Sequence, residues 1–185
     1  PSLENLNETT AFFQPKKMEL PAELEHFLTI HSTCYVLHPK SQGSAVEWPL
    51  EKYLTLAQRL ADKNIGVIFT GTSGEGEIFS NDVTAAFDLH PYVFNSAGML
   101  ALNQLMELIS RATGIVACST GPLHIGGFLG VETIGLFSSK RPIHPGRWKP
   151  LGPKVEILTS ASTNPKQSPT IDIENITVEQ VLEAL

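Results

Sequence analysis

The feature that most constrains this chain is a series of short apolar segments that alternate with segments of helical periodicity. Residues 34–38, 66–70, 115–118 and 132–137 are largely apolar runs of strand length, whereas apolar residues recur at helical spacing over residues 50–63. Strands that are apolar on both faces and separated by helices indicate a parallel sheet covered on both sides. The sequence therefore predicts an α/β fold with a parallel sheet.

Weaker patterns complete the predicted order of elements. The glycine-rich segment 71–77 is predicted to be a loop, and a helix is expected over 78–90. The remaining predictions are a strand at 92–94, a helix near 101–111 capped by Gly114, a helix at 122–129, a strand at 155–158 and a final helix at 177–184 capped by Thr177.

Composition limits the classes of function. The chain has 185 residues, of which 42% are hydrophobic and 17% charged, as expected for one folded domain. A net charge of −6 argues against a dedicated nucleic-acid-binding protein. No acidic residue lies between Glu132 and Glu156, and this window holds several cations: Lys140, Arg141, Arg147, Lys149 and Lys154. Such a segment is either a solvated basic loop or a surface for an anionic ligand or partner.

Other sequence features exclude some functions. Cys34 and Cys118 lie in or beside apolar runs, which predicts buried thiols in a reducing compartment rather than a disulfide. No apolar run reaches the roughly 18 residues of a transmembrane helix. The six histidines show no metal-ligand spacing, so no metal site is predicted. The chain begins with Pro and a polar stretch, and we expect it to be a segment of a longer protein.

The predicted sheet points to one edge as the functional region. Ligands of parallel sheets bind outside the carboxyl ends of the strands. Four polar loops start there: after His38, after Thr70, at Ser119 and after Phe137. We expect a site among these loops.

Residues 115–130 hold the most specific pattern, an apolar strand followed by two hydroxyl residues, Gly121 and Pro122. Pro suits the first position of a helix, with Thr120 or Gly121 as the cap. The start of such a helix offers free backbone N–H groups and a favourable dipole to an anion, and His124 falls in its first turn. An ordinary strand-to-helix junction, with a capping Thr and a packed His, is the alternative.

Several segments in order resemble glycosyltransferase family 9, which contains the ADP-heptose:lipopolysaccharide heptosyltransferases. Residues 119–126 resemble the Asp-Thr-Gly-x-x-His signature of that family, and residues 130–137 resemble the strand that follows it. Three further matches are His38-Pro39, Trp48-Pro49-Leu50-Glu51 and Phe69-Thr70-Gly71. The resemblance spans roughly residues 34–152 and concerns the carboxyl-terminal, donor-binding half of the family.

The resemblance implies a GT-B enzyme with two Rossmann-like domains and an inverting transfer from ADP-heptose or a related nucleotide-sugar. Residues 1–33 would be a linker and leading helix from the missing domain, and residues 34–185 the nucleotide-sugar-binding domain. The acceptor, the lipopolysaccharide core, and an Asp general base would belong to that missing domain. The enzyme would be cytoplasmic at the inner membrane, with loop 138–154 facing anionic lipid or acceptor. No cofactor, metal or nucleic acid is implied.

The resemblance also assigns roles to residues. Thr120 and Gly121 would contact the donor diphosphate with His124 beside it, whereas Thr70 and Gly71 would line the nucleotide pocket.

Further roles are assigned with alternatives left open. Glu75 or Glu77 would bind the ribose hydroxyls, although Glu75 is otherwise a surface residue, and Leu100 or Met99 would flank the adenine. Trp48 and the pair Gly126-Gly127 are expected to serve packing alone.

Two positions depart from the family pattern. Ser119 stands where the family usually has Asp, and Val46 stands where it usually has Lys. Lys40 either reaches into the site from the same loop or faces solvent. These departures keep two alternatives open: a non-catalytic binding or scaffold domain that has lost donor chemistry, and an epimerase-like GT-B relative that acts on UDP-sugars.

Overall fold

A six-stranded parallel sheet forms the centre of the computed structural model, which describes residues 17–141, 144–160 and 168–185. The strands are β1 (Cys34–His38), β2 (Gly66–Phe69), β3 (Val93–Asn95), β4 (Gly114–Cys118), β5 (Glu132–Phe137) and β6 (Val155–Thr159). The helices of the described ranges are α1 (Ala22–Ile30), α2 (Leu50–Ala61), α3 (Ser73–Phe87), α4 (Leu102–Arg111), α5 (Gly121–Leu129), α6 (Pro145–Trp148), α7 (Pro169–Glu174) and α8 (Val178–Ala184).

The strand order is β3-β2-β1-β4-β5-β6, so the chain starts at the centre, runs outward to β3 and returns to the other side of β1. Leu37 lies opposite Phe69 of β2, and His38 lies opposite Ala117 of β4. The carboxyl ends of these three strands therefore meet where the order reverses, the position at which such sheets bind ligands. The predicted α/β fold with a Rossmann-like parallel sheet is confirmed.

Two apolar layers cover the sheet because its strands alternate their side chains between the two faces. On β1, Leu37 points to one layer and Val36 to the other. The first layer includes buried side chains of α2, α3 and α8, and the second those of α1, α4 and α5. Both faces are thus closed to water, which explains why the strands are apolar throughout.

Trp48 has the packing role that its sequence context predicts. Its indole ring is 1% exposed, and its Nε1–H donates to the carbonyl oxygen of Ile176 at 3.0 Å. Its backbone N–H donates to Cys118 Sγ at 3.2 Å. Trp48 therefore joins the loop after β1 to the end of β4 and to the last two helices.

The two cysteines are buried free thiols, as predicted. Burial raises the pKa of Cys118 to about 11, so the neutral thiol is the form present near neutral pH.

Gly126 and Gly127 allow α5 to pack closely on the sheet and on the segment before β6. A Cβ atom at Gly126 would collide with Ile115 Cγ2, and one at Gly127 would lie 2.8 Å from the carbonyl oxygen of Leu151. The predicted packing role of this glycine pair is confirmed.

Two predictions about local structure are wrong. Most of the expected loop 71–77 is helix, because Thr72 and Glu75 form a capping box that starts α3 at Ser73. Gly114 does not cap a helix: Ala112 ends α4, and Gly114 is the first residue of β4, where a Cβ would lie 2.9 Å from Tyr35 Cε1.

The other elements agree with the sequence pattern to within a few residues, apart from α6 and α7, which were not predicted, and α1, for which the resemblance alone implied a leading helix within residues 1–33. Of the described helices, none is long and apolar enough to span a bilayer. The predictions for residues 1–16, for 142–143 in the basic loop, and for 161–167 lie outside the described residues.

Candidate nucleotide site

A cavity of about 470 Å³ lies at the carboxyl edge of the sheet where β1, β2 and β4 end. Its wall is built by the loops after β1, β2, β3 and β4 and by the starts of helices α3, α4 and α5. The lining residues are His38, Ser41, Gln42, Ser44, Thr70, Gly71, Thr72, Glu75, Ser96, Leu100, Leu102, Leu105, Thr120, Gly121 and Pro122. Three of the four loops expected to form a site meet here. The described residues of the loop after Phe137 are not part of this lining.

Thr120 occupies the N-cap position of α5, but its hydroxyl does not cap the helix. Thr120 is 5% exposed, and its Oγ1 is a buried atom with no hydrogen-bond partner among the described residues. A buried hydroxyl without a partner is unfavourable by about 1–3 kcal/mol. Since Thr120 also lines the cavity, its free hydroxyl suits a polar ligand bound at the start of α5.

Gly121 follows in the first turn of α5 and also lines the cavity. No atom lies within 4 Å of the position that a Cβ would occupy there. Packing within the fold therefore does not require glycine at this position, unlike Gly126. The missing side chain leaves the backbone N–H groups of the first turn accessible from the cavity.

Thr70 and His38 form a buried hydrogen bond at the floor of the cavity. The distance between Thr70 Oγ1 and His38 Nδ1 is 2.9 Å, and the residues are 1% and 5% exposed. Sequence reasoning proposed Thr70 but not His38. The signal for His38 was its place at the end of the first strand, at the same sheet edge.

Glu75 lines the cavity from the first turn of α3 and is buried, so the interpretation as a surface residue is wrong. Its carboxylate accepts hydrogen bonds from the backbone N–H of Thr72 at 2.7 Å and from Thr72 Oγ1 at 3.0 Å. Glu75 thus has a structural role as a helix cap in addition to its place in the lining. Glu77 is exposed and is not part of this lining.

One wall of the cavity is apolar. Leu100 precedes α4, and Leu102 and Leu105 belong to it. Met99, the alternative to Leu100 for contacting a base, is 42% exposed and outside the lining. These leucines give this part of the lining an apolar surface.

Three predicted residues lie outside the lining: Ser119, His124 and Lys40. Ser119 is half-buried, and His124 is exposed on the first turn of α5, where partial loss of water lowers its pKa. Lys40 neither enters the cavity nor extends freely into solvent, since its Nζ lies 2.9 Å from Glu47 Oε2.

Other polar residues of the lining were not predicted, and they come from the loops after β1 and β3: Ser41, Gln42, Ser44 and Ser96. Ser41 donates from its backbone N–H to Glu47 Oε1 at 2.8 Å, and Gln42 Nε2 donates to Thr72 Oγ1 at 2.8 Å across the loops. The second of these bonds joins the loop after β1 to the residue that caps α3.

The charge of the lining is unusual for an anion site. Glu75 contributes a carboxylate, and the lining residues given above include no Lys or Arg. No group of His, Cys, Asp and Glu that could hold a metal ion occurs in the described ranges. An anion here would be neutralised by the N-terminus of α5 and by neutral polar groups.

A parallel sheet of this order with a polar cavity at its switch point is the architecture of a nucleotide-binding domain. The chain belongs to glycosyltransferase family 9 (heptosyltransferase), whose model matches residues 5–176.

Individual relatives agree with this family. The chain is 27% identical over 134 residues to the lipopolysaccharide core heptosyltransferase OpsX of Haemophilus influenzae. This aligned segment covers 72% of this chain and 38% of that protein. The structure of E. coli ADP-heptose lipopolysaccharide heptosyltransferase II superimposes with a TM-score of 0.71 and 22% identity, over 91% of this chain and 51% of that one. The structure of E. coli heptosyltransferase WaaC with ADP superimposes with a TM-score of 0.65 and 19% identity, over 93% of this chain and 50% of that one. The chain thus spans between 38% and 51% of the length of these proteins.

Proposed function

We propose that this chain is the donor-binding half of an inverting glycosyltransferase of lipopolysaccharide core biosynthesis, and that its cavity binds the nucleotide part of ADP-heptose or a related nucleotide-sugar. Family membership supports a heptosyltransferase-like activity for the complete protein. A solved structure of the same fold is E. coli heptosyltransferase WaaC with ADP. The fold of the described residues has the ligand position expected for such a donor domain.

The observation that carries the proposal is the buried Thr120 hydroxyl at the start of α5, which has no hydrogen-bond partner among the residues that the structure describes. A phosphate oxygen at this position would accept the hydroxyl hydrogen and those of nearby backbone N–H groups. The leucine wall would contact the base, and Thr70 and Glu75 belong to the same lining.

The mechanism follows from the charge that develops during transfer. As the bond to the sugar breaks, negative charge grows on the leaving diphosphate, and fixed donors directed at it lower the barrier. The start of α5 provides such donors in a partly water-excluded cavity. The general base and the acceptor site would lie on the other half of the enzyme, so we expect this chain alone to bind nucleotide without transferring sugar.

Isothermal titration calorimetry of the chain with ADP, UDP and GDP tests the proposal. We expect binding, with ADP preferred, and at least a tenfold (about 1.4 kcal/mol) loss of affinity in Thr120→Val. Thr84→Ala, at an exposed position of α3, is the matched control and should bind as the unmodified chain does. Equal affinities of the Thr120 variant and the unmodified chain would show that this hydroxyl does not contact the ligand.

The second candidate, a scaffold domain that has lost donor chemistry, is favoured by one observation. The lining residues that the structure describes include no Lys or Arg, and Lys40 is held by Glu47. A chain that binds none of the three nucleotides in the same titration would support this candidate. A preference for UDP would instead favour a relative that acts on UDP-sugars.

A further inference from the structure

We propose that His38 is a further binding residue of this cavity and takes up a proton when a nucleoside diphosphate binds. The inference rests on the proposed function, since it concerns how the same cavity neutralises the charge of its ligand. It is carried by the position of the ring, by its partner Thr70 and by the charges around it.

His38 lies beside the proposed phosphate position. It is the last residue of β1 and is in register with Ala117 on β4, three residues before Thr120. His38 and Thr120 both line the cavity, and each is about 95% buried (5% exposed). A charge on a ligand at the start of α5 would therefore act on the ring with little screening by water.

The hydrogen bond to Thr70 leaves one ring nitrogen for a ligand. Nδ1 is bonded to Thr70 Oγ1 at 2.9 Å, whereas no bond to Nε2 is found within the described part of the chain. A hydroxyl both donates and accepts, so Thr70 can stabilise a neutral or a protonated ring. When Nδ1 carries a hydrogen, the hydroxyl hydrogen of Thr70 can turn toward the carbonyl oxygen of Leu37, at 3.4 Å. Protonation therefore needs no rearrangement of the backbone.

The charges around His38 come from two elements, helix α3 and the loop after β1. Burial lowers the pKa of the ring, while Glu75 on α3 and Glu47 in the loop after β1 act in the opposite direction. Lys40 belongs to the same loop as Glu47, and its positive charge is paired with the Glu47 carboxylate. Thr70 on β2 and Thr120 at the start of α5 are uncharged. With the pKa lowered below its usual value of about 6.5, the ring is neutral near pH 7 when the cavity is empty.

A bound diphosphate would shift the His38 ring from its neutral form to its protonated form. An opposite charge a few ångströms away favours the charged form of a titratable group. Among the lining residues of the described structure, His38 is the side chain that can become a cation, and the neighbouring Glu75 cannot supply positive charge. The imidazolium would then donate from Nε2 to a phosphate oxygen.

The sign of the pH dependence follows directly. Since ligand binding raises the pKa of His38, protons and ligand favour each other. Affinity is greatest where the ring is already protonated, and it falls as pH rises toward the pKa of the ring in the complex. Above that pKa the affinity becomes constant.

Calorimetry with ADP-glucose tests the inference on the 185-residue chain. This ligand has a diphosphate diester without the second phosphate ionisation near pH 6 that complicates ADP. We expect about a tenfold loss of affinity between about pH 6 and about pH 8. Titrations in two buffers of different ionisation enthalpy should show net proton uptake in the middle of this range.

Two variants assign the proton to the residue. His38→Gln should bind more weakly at low pH and show no pH dependence, whereas His26→Gln, at an exposed histidine of α1, should retain both affinity and pH dependence. If His38→Gln does not fold, an NMR titration of the His38 ring with and without ADP-glucose replaces it. Binding without proton uptake, or an unchanged ring pKa, would overturn the inference and leave the proposed function standing. No binding at any pH would overturn both.

Discussion

Asp172 on α7 accepts a hydrogen bond from Ser138 Oγ at 2.8 Å and so links the last part of the chain to the end of β5. Asp172 is fully buried, and it also accepts from Ser139 N at 2.6 Å and from Ser160 Oγ at 2.6 Å. The carboxylate therefore holds together the ends of β5 and β6. This network lies at the same carboxyl edge of the sheet as the cavity described above.

Asp172→Ala should destabilise the fold by about 3 kcal/mol, because it removes the acceptor of several buried donors. Denaturant unfolding followed by circular dichroism measures the change. Asp82→Ala, at an exposed position of α3, is the control and should change the free energy of unfolding by less than about 0.5 kcal/mol. Equal stabilities of the two variants would contradict the proposed importance of the network.

The same carboxylate should contribute to acid sensitivity. Burial acts to raise the pKa of Asp172, but hydrogen bonds from Ser160, Ser139 and Ser138 outweigh it, and the pKa is lowered below its usual value. Stability from this group is present above the pKa of the unfolded chain and is lost as pH falls through the lower pKa of the folded state. The decrease in unfolding free energy from about pH 4 downward should be smaller in Asp172→Asn, provided that this variant folds.

Thr120→Val should not destabilise the chain and should raise its unfolding free energy by up to about 1 kcal/mol. The reason is that the hydroxyl has no partner in the described structure, so its removal relieves an unsatisfied buried group. Thermal unfolding without ligand measures the effect. A clear loss of stability would show that the hydroxyl has a structural partner. The matched case is Ser96→Ala, which loses a 2.8 Å bond from Oγ to the carbonyl oxygen of Phe69 and should be less stable.

Gly126→Ala should destabilise the fold by more than about 2 kcal/mol, since its Cβ would overlap Ile115 on β4. Gly74→Ala is a matched control within a helix, because no atom lies within 4 Å of its Cβ position. It should stabilise the chain by about 0.5–1 kcal/mol through helix propensity. Denaturant unfolding of both variants tests the close packing of α5, and equal changes would contradict it.

Gly121→Ala should separate binding from folding. Open space surrounds its Cβ position, so stability should change by less than about 0.5 kcal/mol. A methyl group there would nevertheless narrow the approach of a ligand to the first turn of α5, and we expect at least about a tenfold loss of ADP affinity. Calorimetry and thermal unfolding of the same preparation distinguish the two effects. An unchanged affinity would place the phosphate elsewhere.

The sequence predicted the sheet well because its strands are apolar on both faces and the helices between them are amphipathic. Helix α3 was missed at its start, since three glycines in residues 71–77 outweighed the capping pair of Thr72 and Glu75. Helix α7 has six residues, too few to show a helical period, although Ser168 and Pro169 form a regular start. Helix starts of this kind are predicted correctly only when capping residues are given as much weight as the periodicity of apolar residues.

The candidate site was predicted in part. Thr70, Gly71, Thr120 and Gly121 lie within three residues of a strand end, so the parallel topology places them at the cavity, whereas Glu75 reaches it from the first turn of α3. The pairing of Lys40 with Glu47 depends on the path of a loop, which no periodicity records.

The contribution of His38 depends on its position opposite Ala117, which requires the strand order. The sequence pattern thus located the edge of the sheet, but not the pairing of charges along it.

The close packing of Gly126 and Gly127 has a consequence for ligand recognition. With its middle pressed against β4 and the segment before β6, helix α5 has little freedom to tilt or slide. Its N-terminal amides are therefore preorganised before any nucleotide arrives, and little ordering entropy is lost on binding at this end of the cavity. The loop after β1, whose lining residues Gln42 and Ser44 are exposed, would then be the part of the cavity that adjusts to different donors.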